Sequence, residues 1–260
     1  MRIVNLSSGS KGNLTYLETE NTKILVDDGL SCQETVKRLS LLGISPTQID
    51  AIMVTHEHND HIKGIDVFSK KYGTPVFAHQ EVWANLDNIL KNVQDKNRKV
   101  FTGDFEFQGL NIRPVEVPHD VKCFGFSFEH DNKKISVVTD LGHINEKILA
   151  SISGSQIAYI EANYDRSMLM ASQKYPLSLK RRIDGPNGHL SNVASADAIE
   201  RLVLSGTRQI ILSHLSEENN SPTLAYTSIC KQLAKKDLCE GEGFKIDVAT
   251  TKPGVIFRLK

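Results

Sequence analysis

Ala51-Ile52-Met53-Val54-Thr55-His56-Glu57-His58-Asn59-Asp60-His61 is the stretch from which the rest of the chain is read. Ala51 to Val54 make a short, fully apolar strand, which runs directly into three imidazoles and two carboxylates. His56 and His58 are two apart, so in an extended chain they project to the same side. Asp60 and His61 fall where the chain turns into a helix and address a second, neighbouring point. One segment can thus feed two adjacent metal ions. A polar loop after a strand is the plainer reading, and the density of imidazoles weighs against it. The same arrangement recurs along the chain. Lys23-Ile24-Leu25-Val26 ends at Asp27, Ile112 to Pro118 at His119, Ile135 to Thr139 at Asp140, and Ile210 to Ser213 at His214. In α/β sheets the carboxyl ends of strands gather on one edge, where active sites form. Any one of these residues alone would read as structural; their shared placement makes them candidate ligands.

Between these points strands and helices alternate, with no linker long or polar enough to divide residues 1–260 into separate domains. Strands are expected over Ile3–Leu6, Leu14–Leu17, Lys23–Val26, Val76–Ala78, Leu110–Val117, Cys123–Glu129, Lys134–Val138, Gln156–Ile160, Gln209–Leu212, Lys245–Val248 and Val255–Leu259. Helices are expected over Gln33–Leu42, His61–Lys71, Glu81–Val93, Ile144–Ser151 and Asn192–Leu204, with another starting at Ser221-Pro222. Asp131-Asn132 supplies hairpin turn chemistry.

Composition sets outer bounds. Lys plus Arg equals Asp plus Glu at 31 each, so no whole-molecule positive field favours nucleic acid. Phosphate substrates stay open, because divalent metals are themselves the largest local charges in such a site. Met1 to Asn13 is polar and Gly/Ser-rich, unlike a signal peptide, and no apolar run is long enough to span a membrane. The expected location is the cytoplasm, where Cys32, Cys123, Cys230 and Cys239, none of them closely paired, stay reduced.

The ligand pattern resembles the metallo-β-lactamase superfamily, whose HxHxDH signature stands here as His56-Glu57-His58-Asn59-Asp60-His61. The resemblance implies an α/β fold, an αββα sandwich of two mixed β-sheets flanked by helices, formed by residues 1–260 as one domain. It assigns His56, His58 and His119 to one metal, Asp60, His61 and His214 to a second, Asp140 as a bridge, and Asp27 as an orienting residue behind them. A carboxylate at 140, where several true β-lactamases carry cysteine, favours the phosphodiesterase and glyoxalase-like branches. Two metals about 3.5–4 Å apart can bind a bridging hydroxide that serves as the nucleophile near neutral pH. Imidazole and carboxylate ligands suit zinc best, with manganese or iron open at the more oxygen-rich position.

Further loops narrow the substrate. Ser7-Ser8-Gly9-Ser10-Lys11-Gly12-Asn13 permits close backbone approach, and Ser8, Ser10 and Asn13 offer polar contacts to a phosphate; an ordinary hairpin turn is the alternative. In Asn187-Gly188-His189-Leu190-Ser191-Asn192, Ser191 or Asn192 caps the following helix and both are candidates for substrate contact. His189 is placed either to protonate a leaving oxygen or as an incidental member of a capping turn. Lys180-Arg181-Arg182 is a solvated face or a guide for a polyanion. His79 and His130 read as structural or exposed, and His143 as a pocket residue or as the cap of the helix from Ile144.

SSGSKGN, ILVDDGLS, VTHEHNDHIKGI, VPHD, VVTDLGH, GHLSN and LSHLSEENN together look like the YycJ (WalJ) family. That resemblance implies a metal-dependent 5′-to-3′ exonuclease acting on double-stranded DNA in repair; the catalytic candidates are Asp60 and Asp27 from the superfamily pattern and His189 from the reading of its loop. Two positions depart from the pattern: Asp28, where a small residue is expected, and Tyr164, where the family often has histidine. Two other functions compete. One is hydrolysis of a small cyclic phosphodiester, lactone or thioester on the same metals. The other is a non-catalytic, partner-binding regulator linked to two-component signalling, against which the retention of every ligand argues.

Overall fold

In the computed structural model, which describes residues 1–254 and 256–259, each apolar run named above becomes a strand, with side chains largely buried except in the last two, over 245–248 and 256–258. The strands are β1 (Arg2–Ser7), β2 (Leu14–Glu18), β3 (Lys23–Val26), β4 (Ala51–Met53), β5 (Val76–His79), β6 (Arg98–Phe101) and β7 (Phe105–Phe107). They continue with β8 (Leu110–Val117), β9 (Cys123–His130), β10 (Lys133–Val138), β11 (Ile157–Glu161), β12 (Gln209–Ser213), β13 (Lys245–Val248) and β14 (Ile256–Arg258). Val255, where the last strand was expected to begin, lies outside the described residues. The helices are α1 (Cys32–Leu41), α2 (Asn59–Ile62), α3 (Ile65–Tyr72), α4 (Gln80–Leu86), α5 (Glu146–Ile152), α6 (Arg166–Ala171), α7 (Leu177–Ile183), α8 (Asn192–Leu204) and α9 (Pro222–Ala234).

One mixed sheet has the order β14-β1-β2-β3-β4-β5-β6 and the other β13-β12-β11-β10-β9-β8-β7. The chain divides into two compact units, residues 1–113 with 251–260, and residues 114–250. In the first, β3, β4, β5 and β6 run parallel. In the second, β10, β11, β12 and β13 do, with Val138 beside Ile160 and Ile160 beside Leu212. Ile135, Val138, Ile160, Ile210 and Leu212 are nearly or wholly inaccessible. Each fully buried residue of this size contributes about 1.5–3 kcal/mol.

Three expectations need correction. The helix expected over His61–Lys71 is two helices, α2 and α3, broken at Gly64. Its N–H donates to Asp28 O at 2.8 Å, and a Cβ there would overlap the Asp28 carboxylate and Leu30 O. The helix expected over Glu81–Val93 stops at Leu86, because the Asp66 carboxylate takes both the backbone N–H and the side-chain amide of Asn92, at 2.7 and 2.6 Å, and pulls the chain off the helical path. His143 does not cap α5: Asn145 does, its side-chain oxygen accepting from Ile148 N at 3.0 Å, while His143 Nδ1 lies 3.0 Å from Pro186 O. The Asp131-Asn132 turn is as expected, with φ of 51° and 59°.

Candidate metal centre

In the first unit the chemistry lies where β3 and β4 end side by side, with Val26 beside Met53. Asp27, the next residue, has φ of 60°, a left-handed conformation that a non-glycine residue adopts only when its surroundings impose it. Its N–H donates to Met53 O at 2.9 Å. Its carboxylate accepts from Thr55 N at 2.9 Å, from the Thr55 hydroxyl at 2.9 Å, and from His61 Nδ1 at 2.7 Å. Burial pushes the Asp27 carboxyl upward, and the His61 and Thr55 contacts pull the other way without cancelling it. With Nδ1 of His61 committed to Asp27, Nε2 carries the lone pair. His56 repeats the device: Nδ1 lies 2.9 Å from the Thr55 hydroxyl, and Nε2 lies 3.0 Å from His58 Nδ1. A carboxylate or hydroxyl behind Nδ1, with Nε2 turned forward, is how metal-ligating imidazoles are oriented. Glu57 faces elsewhere and accepts from the Asn85 amide at 2.7 Å.

The Ser7–Asn13 loop is bound into this cluster. Asn13 Nδ2 lies 3.0 Å from His61 Nε2 and 3.3 Å from Asp60 Oδ2, and Asn13 N donates to Asp60 O at 2.8 Å. Gly29 makes the approach possible, since a Cβ there would sit on Asp60 O. Ser8 is buried and Ser10 is exposed.

The second unit builds its cluster on three adjacent parallel strands. Asp140 follows β10, Glu161 ends β11 and His214 follows β12. Asp140 and His214 have φ of 60° and 55°. A backbone in such a region costs about 1–3 kcal/mol, which the buried strands behind it comfortably exceed. Glu161 is fully buried. One of its oxygens accepts from His189 Nδ1 at 2.7 Å and from His214 Nδ1 at 2.9 Å; the other accepts from Leu141 N and Leu190 N, each at 3.1 Å. Ligand-type atoms of Asp140, Glu161, His189 and His214 all lie within 4.8 Å of one another. Burial alone would raise Glu161, but the His189 and His214 imidazoles outweigh it and hold the carboxyl below the usual range. Burial would correspondingly depress His189, and Glu161 outweighs it and keeps the imidazole above its ordinary value. His119 lies just past β8, 3.3 Å from Gly188 O and 3.2 Å from Asp120, and burial lowers its affinity for protons.

Glu161 was not among the candidates drawn from the sequence. The signal was present, because Ile157-Ala158-Tyr159-Ile160 is an apolar strand ending in an acid like the others. Ser191 caps α8, accepting from Ala194 N at 3.2 Å. Asn192 is buried and exchanges amide hydrogen bonds with Asn220 at 3.2 and 2.9 Å. Tyr164 is 3% exposed, and its hydroxyl donates to Asp184 at 2.7 Å, which gives this departure from the family pattern a structural role.

The beta-lactamase superfamily domain model matches residues 22–215. Exodeoxyribonuclease YycJ of Bacillus anthracis is 34% identical over 244 residues, 93% of this chain and 92% of that protein. Exodeoxyribonuclease WalJ of Streptococcus pneumoniae is 37% identical over 246 residues, 93% of this chain and 91% of that one. Among solved structures, the metallo-beta-lactamase fold protein YhfI from Bacillus subtilis matches with a TM-score of 0.71 at 15% identity, covering 98% of both chains. Two mixed sheets flanked by helices and clustered His and Asp side chains are thus those of a metal-dependent hydrolase with the metallo-β-lactamase fold. Within that superfamily the chain belongs to the family of the exodeoxyribonucleases YycJ and WalJ. Among the described residues no helix is long and apolar enough to cross a membrane.

Proposed function

We propose that this protein is an exodeoxyribonuclease that degrades double-stranded DNA from 5′ to 3′, in the service of DNA repair, using two divalent metal ions. The observation that carries the phosphodiester chemistry is His189 seated on Glu161 beside Asp140 and His214, an imidazole held ready to give up a proton among metal-type ligands. Kinship with exodeoxyribonucleases over 93% of the chain supports DNA as the polymer.

The donor set fits divalent cations. His56, His61 and His214 each have Nδ1 next to an oxygen of Thr55, Asp27 and Glu161 respectively, so the opposite nitrogen of each ring is the one offered to a metal. On the superfamily pattern His56, His58 and His119 would hold one ion and Asp60, His61 and His214 the other, with Asp140 able to serve both. Zinc or manganese suits these ligands, and iron suits the oxygen-richer position. Once bound, such ions lower the pKa of water to supply a nucleophile and offset charge developing on the phosphate. Asp27 fixes the tautomer and orientation of His61. Asp60 serves both as a ligand and as the residue that Asn13 anchors. His189 delivers its proton to the leaving oxygen, and Glu161 balances the imidazolium before transfer. Exposed Ser10 and the half-buried Asn13 and Ser191 stay candidates for substrate contact, whereas Ser8 and Asn192 are buried, Asn192 with its amide paired to Asn220, and do not.

The test is cleavage of 5′- and 3′-labelled duplex DNA with Mn²⁺ or Zn²⁺, beside Asp140→Ala. Stepwise loss from the 5′ end that disappears in the variant is the expected result. Intact DNA with metal demonstrably bound would refute the reading and move it to a small cyclic phosphodiester, lactone or thioester.

A further inference from the structure

Residues 165–187 bury one side chain, Leu169, although they contain α6 and α7. Apolar packing therefore does not account for this segment. Its composition is distinctive instead. Between positions 166 and 182 stand Arg166, Lys174, Lys180, Arg181 and Arg182, with no Asp or Glu, in a chain whose charges otherwise cancel. Arg181 and Arg182 are exposed, and Met168, Met170 and Leu177 are 39%, 42% and 59% exposed among them. Among the described residues the Arg181 side chain makes no hydrogen bond or ion pair. Arg166 pairs with Asp184 at 3.1 Å, which also accepts from Tyr164, Lys174 pairs with Glu218, and the half-buried Lys180 donates to Met170 O at 2.6 Å, so the segment is tied along its length and Arg181 is the cation it turns outward.

The segment is joined directly to the catalytic loop. His189 N donates to Ile183 O at 3.0 Å, and a Cβ at Gly188 would overlap the carbonyl oxygens of Arg182 and Ile183. Arg182 lies 3.7 Å from Asp120, whose carboxylate is 3.2 Å from His119. We infer that the α6–α7 segment is the surface that holds the DNA backbone, with Lys180, Arg181 and Arg182 on consecutive phosphates, so that the grip on the strand and the placement of His189 share one short piece of chain. This rests on the nuclease reading above. Charge complementarity favours a polyanion, and the backbone link to the His189 loop favours one that reaches the cluster rather than a lipid surface.

The experiment measures binding of the full-length protein to a short 5′-phosphorylated duplex in chelator, across a salt series, by fluorescence anisotropy. Each lost phosphate contact removes about 0.9 from the slope of log K against log salt. K180A/R181A/R182A is therefore expected to lower the slope by about three and to weaken binding at least about tenfold. The charge-preserving K180R/R181K/R182K keeps the slope, as does K231A/K235A on α9. If thermal melting shows the triple variant unfolded, R181A alone is expected to lower the slope by about one. Wild-type slope and affinity in these variants, while wild type still cuts duplex DNA, overturns the surface and leaves the nuclease reading standing. Failure of wild type to bind or cut DNA removes both, and binding to phosphatidylserine vesicles in place of DNA overturns the inference in favour of a lipid surface.

Discussion

Glu161→Gln perturbs the second unit's cluster with the least change of shape. One Glu161 oxygen accepts two imidazole N–H groups and the other accepts two backbone N–H groups, so all four neighbours are donors. An amide offers one oxygen and one NH₂. Turned toward the backbone, its NH₂ strands two buried N–H groups; turned toward the rings, it keeps the backbone bonds but forces both Nδ1 atoms to accept and gives up two charge-assisted hydrogen bonds. By the second, less costly route the metal-free variant should lose about 1–3 kcal/mol of stability in urea denaturation. His214 also loses its fixed tautomer, so metal affinity, read by competition with a chromogenic chelator, should fall about 10–100-fold. At saturating metal, kcat on duplex DNA should fall about a hundredfold or more, because His189 has lost its counter-ion. A variant within about 1 kcal/mol of wild type, with metal affinity and turnover unchanged, would show that Glu161 does not organise the cluster.

Asp28 is buried, with Thr35 Oγ1 donating to one oxygen at 2.5 Å and, among the described residues, no hydrogen-bond partner on the other, and burial pushes its carboxyl up to about 7. A folded-state value above the ordinary 3.8 means that the folded protein binds this proton more tightly, so stability falls as pH rises from about 4 to about 7. Asp28→Asn removes that loss, and its stability advantage in metal-free protein should grow by about 3 kcal/mol between pH 5 and pH 8; an advantage that does not change with pH would sink the argument. Gly29→Ala places a Cβ on Asp60 O and should cost about 3 kcal/mol, whereas Gly43→Ala, with φ of 72° and nothing nearby, should cost only about 1 kcal/mol; equal losses in thermal melts would contradict the role of Gly29. Removing metal with a chelator should lower the melting temperature, and restoring it at a hundred times its Kd should return about 2.7 kcal/mol. A melting temperature indifferent to metal would mean that these ligands bind none.

The rim of ligands was legible because the chemistry and the strand pattern coincide at the same residues: Asp27, Asp140 and His214 each close an apolar run that could only be a buried strand. The conformation at those residues was not legible. Asp and His do not announce φ near 60° as glycine does, and only the packed strands behind them hold it there. Glu161 escaped for a different reason. Its importance lies in four donors contributed by residues 141, 189, 190 and 214, which the parallel pairing of β10, β11 and β12 brings around it and no local spacing reveals. Likewise α6 and α7 were missed because helix recognition from sequence relies on an apolar face, and this segment buries only Leu169. A helix without a buried face leaves its charges, not its packing, as the readable signal. For Lys180-Arg181-Arg182 the sequence left two readings open. The backbone link from Arg182 and Ile183 to Gly188 and His189 is what the inferred DNA surface rests on, and the salt-slope measurement decides between the two readings.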